Sequence, residues 1–169
     1  MAKNLELKAA LTSQAKANQI ARTLGAKYQG TLSQIDTYFK VNVGRFKLRE
    51  INGKQFELIF YKRPDSRGTR YSDYFIVPLK EPEAAKALFR SLSGVWAVVR
   101  KERTLYLYEN ARIHIDSVKG LGSFVEFEVV VNRGKKQARE MMQSLVGHFG
   151  IEKKSLLAGS YSDMIRHKK

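Results

Sequence analysis

Residues 45–62 read Arg-Phe-Lys-Leu-Arg-Glu-Ile-Asn-Gly-Lys-Gln-Phe-Glu-Leu-Ile-Phe-Tyr-Lys. Two runs of alternating character, 45–52 and 54–62, flank Asn52-Gly53. That dipeptide suits a tight hairpin turn whose central residues need positive φ, so the stretch reads as two antiparallel strands. Its polar faces are the informative ones. Successive strand residues point to opposite sides. Arg45, Lys47 and Arg49 therefore share one side of the first strand, while Glu57, Tyr61 and Arg63 share a phase on the second.

The same alternation runs outward in both directions. Residues 3–10 set Leu5 and Leu7 against Asn4, Glu6 and Lys8. Ser13 is placed to cap a helix carrying Ala17, Ile20, Ala21 and Leu24, which stops at Gly25. Residues 28–41, 70–79, 95–108, 111–118 and 123–131 read as further strands, with Glu109-Asn110 a tight turn. Pro82 opens a helix to about Leu92, and another runs from Lys135 to Phe149 before Gly150. A short helical tail follows. No repeat, low-complexity segment or linker interrupts the chain, so residues 1–169 are expected to form one domain. About eight alternating strands with few long loops predict an α+β fold: an antiparallel β-barrel with flanking helices. A two-sheet sandwich is the competing architecture.

The composition narrows the chemistry. There is no cysteine, which excludes disulfides, zinc–thiolate sites and thiol nucleophiles. The first residues become charged too early for a signal peptide, and no apolar run reaches membrane-spanning length. A cytoplasmic protein with no membrane partner is expected. The chain carries 31 Lys and Arg against 16 Asp and Glu, a net charge of +15. Nucleic acid, an anionic membrane surface or a phosphate-rich small molecule would each answer that charge. Placement separates them. A nucleic-acid binder shows its cations outside, whereas a phosphate enzyme buries some of them beside carboxylates.

The strand faces favour burial. Beyond those already named, Lys101 and Arg103 share a face, with Tyr106 and Tyr108 beyond them. Arg112, His114 and Asp116 form another, and Glu126 and Glu128 a last one. Taken one strand at a time, each is an ordinary solvated face. Taken together, the opposite faces are apolar enough to pack under helices, and the charged faces then look into a water-filled lumen. Carboxylates there suit Mg²⁺ or Mn²⁺, and Lys and Arg suit phosphate oxygens.

These residues, in this order, resemble the CYTH superfamily of class IV adenylyl cyclases and thiamine triphosphatases, also called triphosphate tunnel metalloenzymes. The opening Glu-x-Glu-x-Lys of that family is matched at Glu6 and Lys8, with Asn4 in place of the first Glu. Gln34 to Phe39, Lys47-Leu48-Arg49, Lys101-Glu102-Arg103, Asp116 before Gly120-Leu121-Gly122, and Glu126-Phe127-Glu128 follow. The resemblance covers nearly the whole chain and is nearest to the bacterial and archaeal class IV cyclase-like branch. It implies an eight-stranded tunnel in which Glu6, Glu126, Glu128 and Asp116 bind Mg²⁺ or Mn²⁺. Lys8, Lys47, Arg49, Lys101 and Arg103 would grip a triphosphate. Strand phase adds Arg63 and Arg112 to the substrate set. Lys8, Arg49, Arg103, Glu126 and Glu128 form the expected catalytic group. Asn4 offers only a neutral carbonyl oxygen, which predicts weaker binding of one of two metals, or a single-metal site.

The implied reaction is cyclisation of ATP to cyclic AMP and pyrophosphate, or hydrolysis of tripolyphosphate, thiamine triphosphate or a nucleotide. A non-catalytic RNA- or polyphosphate-binding module is the third reading. Nucleic acid is not the expected partner, and a homodimer stays open. The stretch Lys119 to Phe127 resembles an RNA-recognition signature, but Leu121 replaces its aromatic and Ser123 is an extra residue that shifts the phase. His114 reads as a structural, hydrogen-bonded histidine. Tyr106, Tyr108 and Trp96 read as strand packing, and the basic stretches 134–139 and 165–169 as solvated surface.

Overall fold

The structure is a computed structural model that describes residues 2–168. Strands β1 (Ala2–Ala10), β2 (Lys27–Phe39), β3 (Arg45–Ile51), β4 (Gln55–Lys62), β5 (Arg70–Pro78), β6 (Val95–Tyr108), β7 (Ala111–Val118) and β8 (Gly122–Val130) are joined by helices. The helices are α1 (Gln14–Thr23), α2 (Pro82–Ser93), α3 (Lys135–Phe149) and α4 (Tyr161–His167). The strands close in the order β1-β5-β4-β3-β2-β6-β7-β8, each pairing antiparallel, with β8 returning to β1. This is the expected barrel and not the competing sandwich. At the β3–β4 turn Asn52 and Gly53 have φ of 53° and 64°, as a type I′ turn requires.

The main apolar core lies outside the barrel. Leu5 and Leu7 of β1, Ile113 and Ile115 of β7, and Val125, Phe127 and Val129 of β8 pack beneath α1 and α3. Those helices contribute Ala17, Ala21, Ala138, Met142, Leu145 and Phe149. On the other side Phe89 of α2 meets Phe39 and Phe46 at 5.4 and 4.8 Å between ring centroids. Hydrophobic burial is thus satisfied by one strand face plus a helix, as in any layered domain. The inward faces are left free for polar side chains.

The two barrel ends differ. Strand ends near the Asn52-Gly53 turn and the Glu109-Asn110 turn form an open rim, where Ile76 is 47% exposed and the Arg112 side chain 32%. At the other end α4 lies across the opening. Tyr161 joins Tyr38, Ile59, Tyr61, Val99, Val118 and Phe124 in a second buried cluster. A capping box between Ser160 and Asp163 starts α4. Asp163 also accepts a 2.7 Å bond from Arg45 Nη2, which latches the helix to β3. The lumen is therefore a blind tunnel.

Two sequence expectations are corrected here. Arg45 does not share the lumen with Lys47 and Arg49; it ends at the closed rim, paired with Asp65 and Asp163 at 2.7 Å each. Tyr106 and Tyr108 are out of phase with Lys101 and Arg103 and pack in the outer core, where the Tyr106 hydroxyl donates to Asn18 of α1 at 2.8 Å. The basic end is exposed at residues 166–168 as expected, with Arg166 4.2 Å from the Trp96 ring on the exterior, while Tyr161 ahead of it seals the tunnel. Lys169 lies outside the described residues.

Candidate active site in the tunnel

Strand register assembles the site. The β1–β8 ladder sets Glu6 opposite Glu128 and Lys8 opposite Glu126. The β7–β8 ladder sets Arg112 opposite Glu128 and His114 opposite Glu126. Three neighbouring strands thereby collect the carboxylates on one wall. On the facing wall, the β2–β3 ladder puts Asp36 opposite Arg49, and the β2–β6 ladder puts Gln34 opposite Lys101. The cavity between these walls is about 320 Å³.

Glu126 is the hub of the acidic wall. It receives Lys8 Nζ at 3.3 Å and Arg103 Nη2 at 2.9 Å. Burial alone would raise its pKa, but Lys8 and Arg103 among its neighbours hold it well below the usual carboxylate range. Glu6 behaves oppositely. Burial pushes its carboxyl up, Arg63 opposes with a 2.6 Å bond from Nη1, and the nearby Glu128 and Glu126 push it further up. Glu128 accepts from Arg112 at 2.9 Å. With its amide oxygen turned toward Arg112, Asn4 accepts from Nη2 at 2.9 Å.

His114, Glu126 and Glu128 present one ligand atom each within 4.8 Å of one another. His114 Nδ1 is buried without a hydrogen-bond partner and lies 3.8 Å from an oxygen of each glutamate. Burial, reinforced by Arg103, lowers the imidazole pKa and keeps the ring neutral, the form that ligates metal. Two carboxylates and a neutral imidazole with an unused lone pair make a donor set suited to a divalent cation. The expectation of a hydrogen-bonded structural role for His114 is therefore not met at Nδ1.

The matched domain sequence follows this geometry. The CYTH domain profile matches residues 2–161. The chain belongs to the CYTH family. A protein of Methanocaldococcus jannaschii named "putative adenylate cyclase" is 27% identical over 95% of this chain and 97% of its own. A Pyrococcus horikoshii structure shares the fold at a TM-score of 0.85, with 22% identity over 95% of this chain and 98% of that one. A Hippeastrum protein described as a "putative adenylyl cyclase" with a dominant triphosphatase activity superposes at a TM-score of 0.68, with 15% identity over 98% and 96% of the two chains. CYTH proteins are metal-dependent enzymes that act on triphosphates.

In this CYTH barrel the sequence-derived residues converge on one cavity, with one exception. Asn4, Glu6, Glu126 and Glu128 line the acidic wall. Lys8, Lys47, Arg49, Lys101 and Arg103 line the cavity beside or across from it, and so do Arg63 and Arg112, which had been added from strand phase. Asp116 is the exception. It is fully buried; Arg103 Nε and Nη2 donate to its two oxygens at 2.7 Å each, and the Tyr161 hydroxyl donates at 2.8 Å. Its oxygens accept from Arg103 and Tyr161 and it lies behind the cavity lining, which sets Asp116 apart from the other expected metal ligands. Burial would raise its pKa, but Arg103 and Lys101 hold it well below the usual range.

Asp36 was missed. It stands in the quoted Gln34–Phe39 segment, yet received no role because its strand neighbours are uncharged. Its partner depends on register, which the structure supplies by setting this lone acid opposite Arg49. Some of the cations are buried beside carboxylates, as expected of a phosphate site. Seven cations and four carboxylates line the cavity, and Asp36 and Asp116 lie behind the cations they hold. The lumen is thus nearly neutral, and most of the +15 lies elsewhere in the chain.

Proposed function

We propose that this protein is a divalent-metal-dependent enzyme that takes a triphosphate into the blind tunnel from its open end and cleaves it there. One observation carries the reading: a cavity of about 320 Å³ inside the barrel has a carboxylate–imidazole cluster on one wall and a cluster of Lys and Arg on the other. That volume suits a triphosphate chain, so an organic group attached to it would reach the rim. Glu126, Glu128 and His114 would hold the metal, with Glu6 and Asn4 beside them. When bound, the ion supplies charge neutralisation at the phosphate oxygens.

The chain's own residues do the remaining work by position and charge, which is what phosphoryl transfer needs. Lys47, Lys101 and Lys8, near the sealed end, grip the leading phosphate oxygens. Arg49 and Arg103 neutralise charge nearer the middle. Arg63 and Arg112 hold Glu6 and Glu128 in place. Tyr161 keeps bulk water out of the closed end.

The reaction we propose first is adenylyl cyclase-like, supported by the name of the Methanocaldococcus jannaschii relative. The ribose 3′-oxygen bonds to the α-phosphorus, the bond from that phosphorus to its bridging oxygen breaks, and pyrophosphate leaves while the hydroxyl proton passes to solvent. The second reading is water attack on the terminal phosphorus, supported by the tunnel's fit to a bare triphosphate chain. Incubation with ATP, tripolyphosphate and thiamine triphosphate, each with Mg²⁺ or Mn²⁺, separates them. Cyclic AMP with pyrophosphate identifies the cyclase and orthophosphate the hydrolase. No product from any of the three overturns both and leaves a binding module.

Asn4 gives a smaller test. Asn4→Glu restores a carboxylate where Arg112 already offers a donor at 2.9 Å. Calorimetric titration with Mn²⁺ is expected to show affinity raised about tenfold, because ligand charge tunes affinity at such sites. Unchanged affinity would place Asn4 outside the metal's reach.

A further inference from the structure

Asp36 makes no contact that a substrate would make. It is 1% exposed and does not line the cavity. Yet three cations converge on it. Lys47 Nζ donates to Oδ2 at 2.8 Å, Arg49 donates from Nε to Oδ1 at 2.7 Å and from Nη2 to Oδ2 at 2.8 Å, and Lys101 Nζ lies 3.5 Å from Oδ2. The cations come from β3 and β6, the two strands that flank β2. Each of the three lines the lumen, so the carboxylate stands directly behind the surface that meets phosphate.

We propose that Asp36 is the positioning residue of the phosphate grip: one buried carboxylate that aims Lys47, Arg49 and Lys101 at the lumen and opposes the loss of the two lysines' protons. The inference rests on the triphosphate reading above. Its physical basis is the cost of burying an ammonium group. A buried lysine sheds its proton unless an anion faces it. One carboxylate against three cations leaves two positive charges over, which is what a phosphate group requires. A second carboxylate at the same point would leave only one positive charge, and none would remove the force that opposes loss of the lysines' protons.

The surroundings of the lysines agree. Lys47 is pushed down to about 8 by burial and by Arg49, while Asp36 opposes the fall and Arg103 adds to it. From β2 and β4 it also faces the rings of Tyr38 and Tyr61. Those phenols are pushed up, chiefly by burial, and stay neutral. Asp36 is the acid acting on Lys47 among the groups named. Lys101 is lowered well below the usual lysine range by burial and then by Arg103; Asp36 and Asp116 oppose, and the Tyr161 ring of α4 lies 5.3 Å away. Removing the Asp36 charge takes away an opposing force, so both lysines lose their protons at lower pH.

The test is the pH dependence of tripolyphosphate binding, measured by calorimetry between pH 6 and 9.5 in metal-free buffer. Titration of the ligand itself is common to both proteins, so the difference reads the protein. Wild type is expected to lose affinity as pH passes about 8, where Lys47 discharges. In Asp36→Asn the alkaline limb is expected to move acidward by at least about one pH unit, leaving the variant roughly tenfold weaker at pH 8 relative to its own value at pH 6. A merely structural role would lower affinity by the same factor at every pH, and parallel profiles overturn the inference. Absence of tripolyphosphate binding by wild type overturns the triphosphate reading and the inference with it. If Asp36→Asn does not fold, Asp36→Asn/Lys101→Met compared with Lys101→Met removes one buried charge of each sign. The same acidward shift, now from Lys47 alone, is expected between that pair.

Discussion

Glu128→Gln lowers turnover at least about a hundredfold while leaving the barrel close to wild-type stability. The reason is where Glu128 sits. It supplies one of the three clustered donor atoms, so losing its charge weakens the wall that faces the metal. Its structural commitments are light. Its main partner is Arg112 at 2.8 Å, and the two side chains are 19% and 32% exposed. Both side chains keep part of their surface in water, so the pair is less costly to break than the fully buried ones around Glu126. Glu126→Gln is the contrasting case. Glu126 is 6% exposed and neutralises both Lys8 and Arg103, so the amide leaves buried cations short of a counter-charge. That substitution costs activity and also stability, by about 3–5 kcal/mol. Steady-state assays beside thermal denaturation separate the two. A Glu128→Gln protein with full turnover removes the metal wall from the mechanism, and a binding module would retain its ligand affinity in both variants.

The same contrast bears on how metal and triphosphate would be tied together in the proposed reaction. The carboxylates are each held by cations: Glu6 by Arg63, Glu126 by Lys8 and Arg103, Glu128 by Arg112. Under the proposed function a triphosphate would draw cations away from the glutamates, and a divalent ion would satisfy the glutamates they leave. Each ligand would then lower the cost of binding the other, and by linkage the effect would be reciprocal.

Much of this was legible in the sequence, because strand alternation has a period of two and assigns every second residue to one face. The Asn52-Gly53 hairpin and the inward charges Lys47, Arg49, Glu126 and Glu128 are readable without knowledge of the partner strands, though Arg45 in the same phase is not inward. What alternation cannot give is register. Whether Asp116 meets a metal or Arg103 depends on β6 and β7 sliding to place them opposite each other, and they do. Asp36 was missed for the same reason: its importance lies in the two neighbouring strands. A phase slip explains Tyr106 and Tyr108, since counting from Arg103 puts them on even positions of a strand whose odd positions face inward. The blind end was beyond strand logic altogether. It depends on α4 folding back through Arg45 and Asp163, more than a hundred residues apart in the chain.

Asp116→Asn is expected to be the most destabilising conservative change in the lumen while leaving metal affinity alone. Asp116 is 0% exposed and makes a two-pronged pair with Arg103, the strongest geometry available to a carboxylate. An amide of the same shape leaves Arg103 buried with only Glu126 against it and turns one donor toward another. Breaking a buried pair from one side costs about 3–5 kcal/mol, which in a domain of this size is a melting temperature lower by roughly 6–20 °C. The pH dependence fixes the sign. The Asp116 pKa is depressed in the folded protein, so its contribution is fully present above the unfolded aspartate value of about 3.9 and fades as pH falls through the folded value. The gap between wild type and Asp116→Asn is therefore constant at neutral pH and closes only in acid. Mn²⁺ titration of the variant at a temperature where it is folded supplies the second readout. Affinity within about twofold of wild type is expected, because both Asp116 oxygens already serve Arg103 and Tyr161. A tenfold loss of metal affinity with an unchanged melting temperature would return Asp116 to the ligand set.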